Sequence, residues 1–190
     1  MSWTRSIPPA AAAAELDTLY RRIAASSSTQ SVAHVWQATG PDPAGLAAAH
    51  ALYAALMGEP APLTRAQAEM IAVVVSATNG CGYCVAHHGP KLAGALGDDA
   101  LAHAVALDYR EANLAARDRV LLDYAVALTC EPGERKLEDV ERLREYGFDD
   151  PAILRATEVT AYYNYTNRVV SALGVALEPG RTPWEFGAQK

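Results

Sequence analysis

Apolar residues recur at helical spacing along nearly the whole chain, and the alternating β-branched pattern of a strand is almost absent. A chain patterned this way buries its apolar surface by packing helix on helix. Alanine is abundant and phenylalanine occurs only twice, a mix that suits closely packed helices. With 51% hydrophobic residues over 190 positions there is material for a sizeable core. That length favours one domain, or two small half-domains sharing a core. The expected fold class is all-α, a helical bundle.

Start and stop signals divide the pattern into helices. A first helix is expected over about Ala12 to Ala25, ending in the polar Ser26–Thr29 stretch. A short one follows around Val32 to Ala38, then one over Pro43 to Met57 that Gly58 and Pro60 close. Thr64 followed by Gln67 is a capping-box pattern ahead of the apolar run Met70 to Val75, so a helix should reach Ala77 or Thr78. Asn79-Gly80 breaks it. The next helix carries the cysteines through to Leu96. Asp98 or Asp99 caps a helix to about Leu107, and Asn113 caps one to about Thr129. Leu137 to Tyr146 is a short charged helix, and Asp150-Pro151 opens the last, which Gly174 ends. The tail from Glu178 should wrap over a surface or a neighbouring subunit. One internal echo stands out. Ser76-Ala77-Thr78-Asn79-Gly80 lines up with Asn164-Tyr165-Thr166-Asn167-Arg168 at a constant offset, as a duplicated unit or by chance.

Charge and composition exclude several functions. The net charge is -6 with no basic run, so there is no electrostatic footprint for nucleic acid or an anionic membrane. No stretch reaches the roughly 18 apolar residues of a membrane span. Met1 to Ala14 holds one basic residue, Arg5, and its alanine run is too short for a signal peptide, so a cytoplasmic protein is expected. Three cysteines in a reducing compartment do not make a disulfide framework. Two of them form a C-x-x-C pair, which there points to redox or metal chemistry.

The chemistry-bearing segment is Glu69, then Cys81-Gly82-Tyr83-Cys84-Val85-Ala86-His87-His88. Cys81 and Cys84 are three apart, on one face near a helix start. Two thiols one turn apart reach disulfide distance. The free N–H groups and positive dipole end of a first turn stabilise a thiolate, the nucleophilic form. His88 lies one turn beyond Cys84, and an imidazole suits proton exchange at neutral pH. Glu69 precedes the Asn79-Gly80 break by roughly 16 Å of helix and His88 follows it by roughly 12 Å. An antiparallel hairpin would place them at similar depth, where the carboxylate orients His88.

Other readings of the same residues stand beside this one. Cys81, Cys84 and His88 with Glu69 or His87 are also a possible zinc set, although structural zinc sites usually show a second ligand pair elsewhere. The pair could instead serve a non-catalytic redox sensor or binding protein. His87 points about 100° away from His88, toward packing, surface or a pocket mouth. Tyr83 is either a core or interface ring or a hydroxyl donor to the proton network. Cys130 has no partner in sequence and reads as a bystander. Tyr162-Tyr163-Asn164-Tyr165 with Asn167 and Arg168 reads as packing with buried hydrogen bonds, or as a pocket wall or subunit interface. Trp36, Trp184 and His50 read as packing residues, and Asp118, Arg119 and Asp123 as a solvated or interfacial charge set.

Glu69, a C-x-x-C twelve residues later and His88 four beyond the second cysteine resemble the alkylhydroperoxidase D-like proteins of the carboxymuconolactone decarboxylase superfamily, in the branch called peroxidase-related enzymes. Asn79-Gly80, His87-His88-Gly89, Leu121 to Ala125 and Tyr162 to Arg168 extend the likeness over about Leu63 to Ala176. It implies one domain over 1–190, with a helical extension to about 60, a motif-bearing core over about 61–176 and a tail from 177. It implies an all-α fold built on a helical hairpin that bears the C-x-x-C, assembled as trimers or hexamers. The implied activity is a peroxidase with no metal, haem or other cofactor. Cys84 attacks the peroxide, Cys81 resolves the sulfenic acid to a disulfide, and Glu69 and His88 relay protons. A dithiol, on a lipoyl-bearing or thioredoxin-like protein, restores the thiols. The best-known members carry a histidine between the cysteines where this chain has Tyr83. The decarboxylase branch lacks the pair, so that activity is not expected.

Overall fold

The computed structural model describes residues 2–27, 29–58 and 62–189. Among them there are nine α-helices and no strand. They are α1 (Ala14–Ser26), α2 (His34–Thr39), α3 (Pro43–Met57), α4 (Arg65–Thr78), α5 (Gly82–Leu96), α6 (Asp99–Asp108), α7 (Ala116–Cys130), α8 (Leu137–Glu145) and α9 (Asp150–Leu173). Single 3-10 turns at Pro9–Ala11 and Pro132–Glu134 add to the expected elements. One start differs. α7 takes Ala115 as its N-cap, and no side chain caps it, rather than beginning at Asn113. Pro60, expected to help close α3, lies outside the described residues, as do Met1, Ser28 and Lys190. None of the described helices is long and apolar enough to cross a membrane.

The chain forms two compact units, Met1–Ala55 with Val169–Arg181 and Leu56–Arg168 with Thr182–Lys190. In the first, Leu16, Leu19, Tyr20 and Ile23 of α1 meet Val32 and Leu46, with Trp36 packed on the cluster. Tyr20, its ring in that core, gives its hydroxyl to Ile7 O at 2.9 Å. Trp36 meets His50 edge-on at 5.3 Å, in keeping with packing roles for both.

The second unit is built on α4. Every residue from Gln67 to Thr78 is buried, as the uninterrupted Met70–Val75 run requires. A helix apolar on all sides must be surrounded, and here α5, α6 and α7 pack around it. Each buried valine or isoleucine contributes about 1.5–3 kcal/mol. The capping box forms as the sequence predicts. Gln67 N donates to Thr64 Oγ1 at 3.2 Å and Thr64 N to Gln67 Oε1 at 3.0 Å. Gly80 adopts φ +69 between α4 and α5, a left-handed conformation that a side chain would strain. The hairpin expected at Asn79-Gly80 turns there.

The end of the tail packs on its own chain. Trp184 stacks on His103 of α6, ring centroids 3.9 Å apart, and lies against Gly89. Phe186 sits against Gly82. Gln189 is buried, its amide donating to Ala106 O at 2.8 Å and Leu107 O at 3.0 Å. Asp118, Arg119 and Asp123, expected as a solvated or interfacial charge set, are half-buried and hydrogen-bonded within the chain. Asp118 accepts from Gln67 Nε2, Asp123 accepts from Tyr109, and Arg119 donates to the carbonyls of Arg110 and Ala112. Their partners come from other helices and loops, which charge patterning cannot reveal.

Thr64→Ala removes the cap that starts α4. It should cost about 1 kcal/mol, read as a lower urea midpoint with unchanged slope.

Candidate active site

The α4–α5 hairpin brings the sequence-selected residues together. Cys81 is the N-cap of α5 and Cys84 lies in its first turn. Cys81 N donates to Ser76 O at 2.8 Å, which seats the start of α5 on the end of α4. Both thiols are buried, with sulfurs 3.0 Å apart. A disulfide needs about 1 Å of further approach.

His88 and Glu69 meet as the hairpin geometry predicts. His88 Nδ1 lies 2.6 Å from Glu69 Oε2, and both side chains are buried. Arg65 Nη2 is 2.7 Å from the other oxygen, Oε1, one turn back on α4. That contact is an ion pair without hydrogen-bond alignment. Burial alone would raise the Glu69 carboxyl. The charge and hydrogen bond of His88, then Lys91 and Arg65, outweigh it and hold the group below its usual range. Burial takes His88 the other way, down to about 4, against the pull of Glu69. His88 is therefore neutral near pH 7. With its Nδ1–H donated to the carboxylate, Nε2 is the basic nitrogen. Tyr163 of α9 places its hydroxyl 3.1 Å from Nε2.

Cys84 departs from the simple helix-dipole expectation. Its thiol is pushed well above the usual range, first by the hydrogen bond with Cys81, then by burial and by charge on Cys81. Hydrogen bonds from Asn167 and Ser76 pull it down. Two thiols in contact share one negative charge, so ionising the second is the costly step.

Tyr83 is buried and its ring pairs with His87 at 4.5 Å, four residues on along α5. Cys130 is exposed at the end of α7. A cavity of about 790 Å³ lies beside it, bordered by Thr78, Asn79, Tyr109, Arg110 and Asp123 but by neither Cys81, Cys84 nor His88. Among the described residues no three His, Cys, Asp or Glu side chains converge as a metal-holding group.

Sequence reasoning missed Arg65, Lys91 and Ser76, and read Tyr163 and Asn167 as packing residues or as part of a pocket wall or subunit interface. Arg65 had a signal, its position four before Glu69 on one helix face. Lys91 had one too, three after His88 on α5. Ser76, Tyr163 and Asn167 reach the site through tertiary packing, and the echo that aligned Ser76 with Asn164 and Asn79 with Asn167 was a trace of Ser76 and Asn167.

A model of the carboxymuconolactone decarboxylase family matches residues 43–109. A solved structure of an uncharacterised peroxidase-related protein from Silicibacter sp. TM1040 is 34% identical, covers 95% of this chain and 93% of its own, and superposes with a TM-score of 0.85. The alkylhydroperoxidase AhpD core of a peroxidase-related protein from Ralstonia eutropha JMP134 is 29% identical over 96% of this chain and 97% of its own, also at 0.85. The debrominase Bmp8, solved in complex with 2,3,4-tribromopyrrole, shares the fold at 17% identity over 94% of this chain and 95% of its own, TM-score 0.75. Comparison with curated proteins gives no match. The chain belongs to the alkylhydroperoxidase D-like proteins of the carboxymuconolactone decarboxylase superfamily.

In an unfolded chain His88 would protonate near pH 6.5, but in the fold only near 4. Between those values the unfolded state binds more protons. The stability from neutral His88 is therefore full above about pH 6.5 and lost as pH falls toward 4. Glu69, with its lowered carboxyl, adds a loss in the same direction at lower pH. Urea unfolding from pH 7 to 4 should show wild type losing on the order of 3 kcal/mol more than His88→Gln. Parallel profiles would refute the neutral, buried assignment.

Proposed function

We propose that the protein is a cysteine-dependent peroxidase that reduces organic hydroperoxides through a Cys81/Cys84 dithiol–disulfide cycle. The carrying observation is the buried thiol pair, with sulfurs 3.0 Å apart on the helix that also holds the Glu69-bound, neutral His88. Membership of a family with peroxidase-related members supports the reading.

In the proposed cycle the Cys84 thiol gives its proton to His88 Nε2. The thiolate attacks the outer peroxide oxygen. An S–O bond forms, the O–O bond breaks, and the alkoxide takes the proton from His88 and leaves as an alcohol. Cys84 is now a sulfenic acid. The Cys81 sulfur attacks it, an S–S bond forms, and the hydroxyl leaves with the Cys81 proton as water. An external dithiol, on a lipoyl-bearing or thioredoxin-like protein, is oxidised to its own disulfide and returns both thiols. Glu69 holds the imidazole with Nε2 free for proton transfer and stabilises the imidazolium when it forms. Tyr163 holds the imidazole in place through its hydroxyl, 3.1 Å from Nε2. A phenol with a pKa near 10 is a poor shuttle at neutral pH, so Tyr83 is given a pocket role beside His87. We read the working protein as a homo-oligomer, a trimer or hexamer.

Turnover of an organic hydroperoxide with a dithiol reductant tests the cycle. Cys84→Ser should abolish turnover. Cys81→Ser should stop after one equivalent, with a trappable sulfenic acid. His88→Gln should lose about 10²–10⁴-fold in rate. Equal rates for wild type and Cys84→Ser would remove Cys84 from the mechanism. No turnover, together with a change of oligomer size on oxidation, would favour a redox sensor.

A further inference from the structure

Four asparagine and serine side chains form a ladder that runs inward from the half-buried Asn164 and Asn79 to the buried Asn167 and Ser76 beside Cys84. It starts at the surface, where Arg168 Nη1 donates to Asn164 Oδ1 at 2.8 Å. A guanidinium has donors only, so this contact fixes which end of the Asn164 amide is oxygen. Asn164 Nδ2 then faces Thr129 Oγ1 at 2.9 Å and Thr160 O at 3.1 Å. Asn79 presents its amino group to Asn164 Oδ1 at 3.1 Å and to Asn167 Oδ1 at 3.0 Å. With its oxygen taken, Asn167 turns its amino group inward and donates to Ser76 Oγ at 3.0 Å. The Ser76 oxygen accepts that bond, which frees its hydroxyl hydrogen to point elsewhere. The Asn167 and Ser76 side chains both act on the Cys84 sulfur in the direction that favours its anion, and all three residues are almost completely buried.

A thiol sulfur is a weak acceptor. Burying two committed donors against one is a poor use of both, because an unsatisfied buried donor costs about 1–3 kcal/mol. A thiolate sulfur or a sulfenate oxygen satisfies them with charge-assisted bonds.

We propose that Asn167 and Ser76 form an anion cradle for the Cys84 sulfur, with Asn79 as the positioning residue that sets the Asn167 amide. This rests on the reading above in one respect, that Cys84 carries the negative charge. It adds two residues that touch the reacting atom and one that acts through another. The cradle opposes burial and pairing with Cys81, both of which work against ionisation. Cys81 is the ionisable group shown acting on Cys84, and His88 lies one turn further along α5 with Glu69 of α4 and Tyr163 of α9 on its ring. Arg65 and Lys91 act on Glu69, and His103 of α6 is stacked on Trp184.

The test is the ultraviolet thiolate titration of Cys84 in a Cys81→Ser, Cys130→Ser background, which requires no peroxide turnover. Asn167→Leu and Ser76→Ala should each raise the Cys84 pKa by about one unit, a tenfold smaller thiolate fraction at a fixed pH below it. Asn167→Asp, nearly isosteric but an acceptor, should raise it further. Asn79→Ala should raise it by less, since it only releases the amide. Ser76→Ala carries the test if an Asn167 variant does not fold. An unchanged titration in folded Ser76→Ala and Asn79→Ala overturns the cradle. A raised pKa in a protein that turns over no peroxide would keep the cradle and overturn the peroxidase reading.

Discussion

Glu69 is a carboxylate on a helix with no solvent-facing side, and the site is organised around keeping it charged there. An isolated buried carboxylate costs several kcal/mol. Glu69 is held by the imidazole of His88 on one oxygen and the Arg65 guanidinium on the other. The first contact crosses the α4–α5 hairpin, so it fixes the register of the helix that carries the thiols. The same contact sets the tautomer of His88. Glu69 thus links the packing of the central helix to the basicity of the site.

Burial acts on each group in the direction of its neutral form, with consequences that differ along the site. His88 stays neutral and can accept a proton. Cys84 stays protonated unless donors favour its anion. Glu69 alone is held charged, by cations and a hydrogen bond. An acceptor base, a reluctant thiol and two donors aimed at its sulfur form a coherent proton-transfer arrangement.

The echoed segments have a physical meaning in the fold. Asn79 meets Asn164 and Asn167 meets Ser76, two contacts that exchange when the segments are exchanged, while Asn79 and Asn167 meet each other. The ends of α4 and the middle of α9 therefore face one another in a locally two-fold manner. A pattern that the sequence offered as duplication or coincidence is, in three dimensions, a hydrogen-bonded seam beside the Cys84 sulfur.

What was legible in the chain was whatever short range governs. Helical period and caps placed the nine helices to within a few residues, since breakers such as Asn79-Gly80 act locally. The thiol pair was equally legible, because three residues of α-helix determine the distance between them. Even the Glu69–His88 contact followed from rise per residue and one turn. Tertiary structure alone decided that Tyr163 and Asn167, far along the chain on α9, meet His88 and Ser76, and that Arg119 is tied into carbonyls. It also decided that Cys84 resists ionisation. The reason is common to all three. Helix periodicity says which face a side chain occupies, but burial and distant hydrogen-bond partners depend on which helix covers that face.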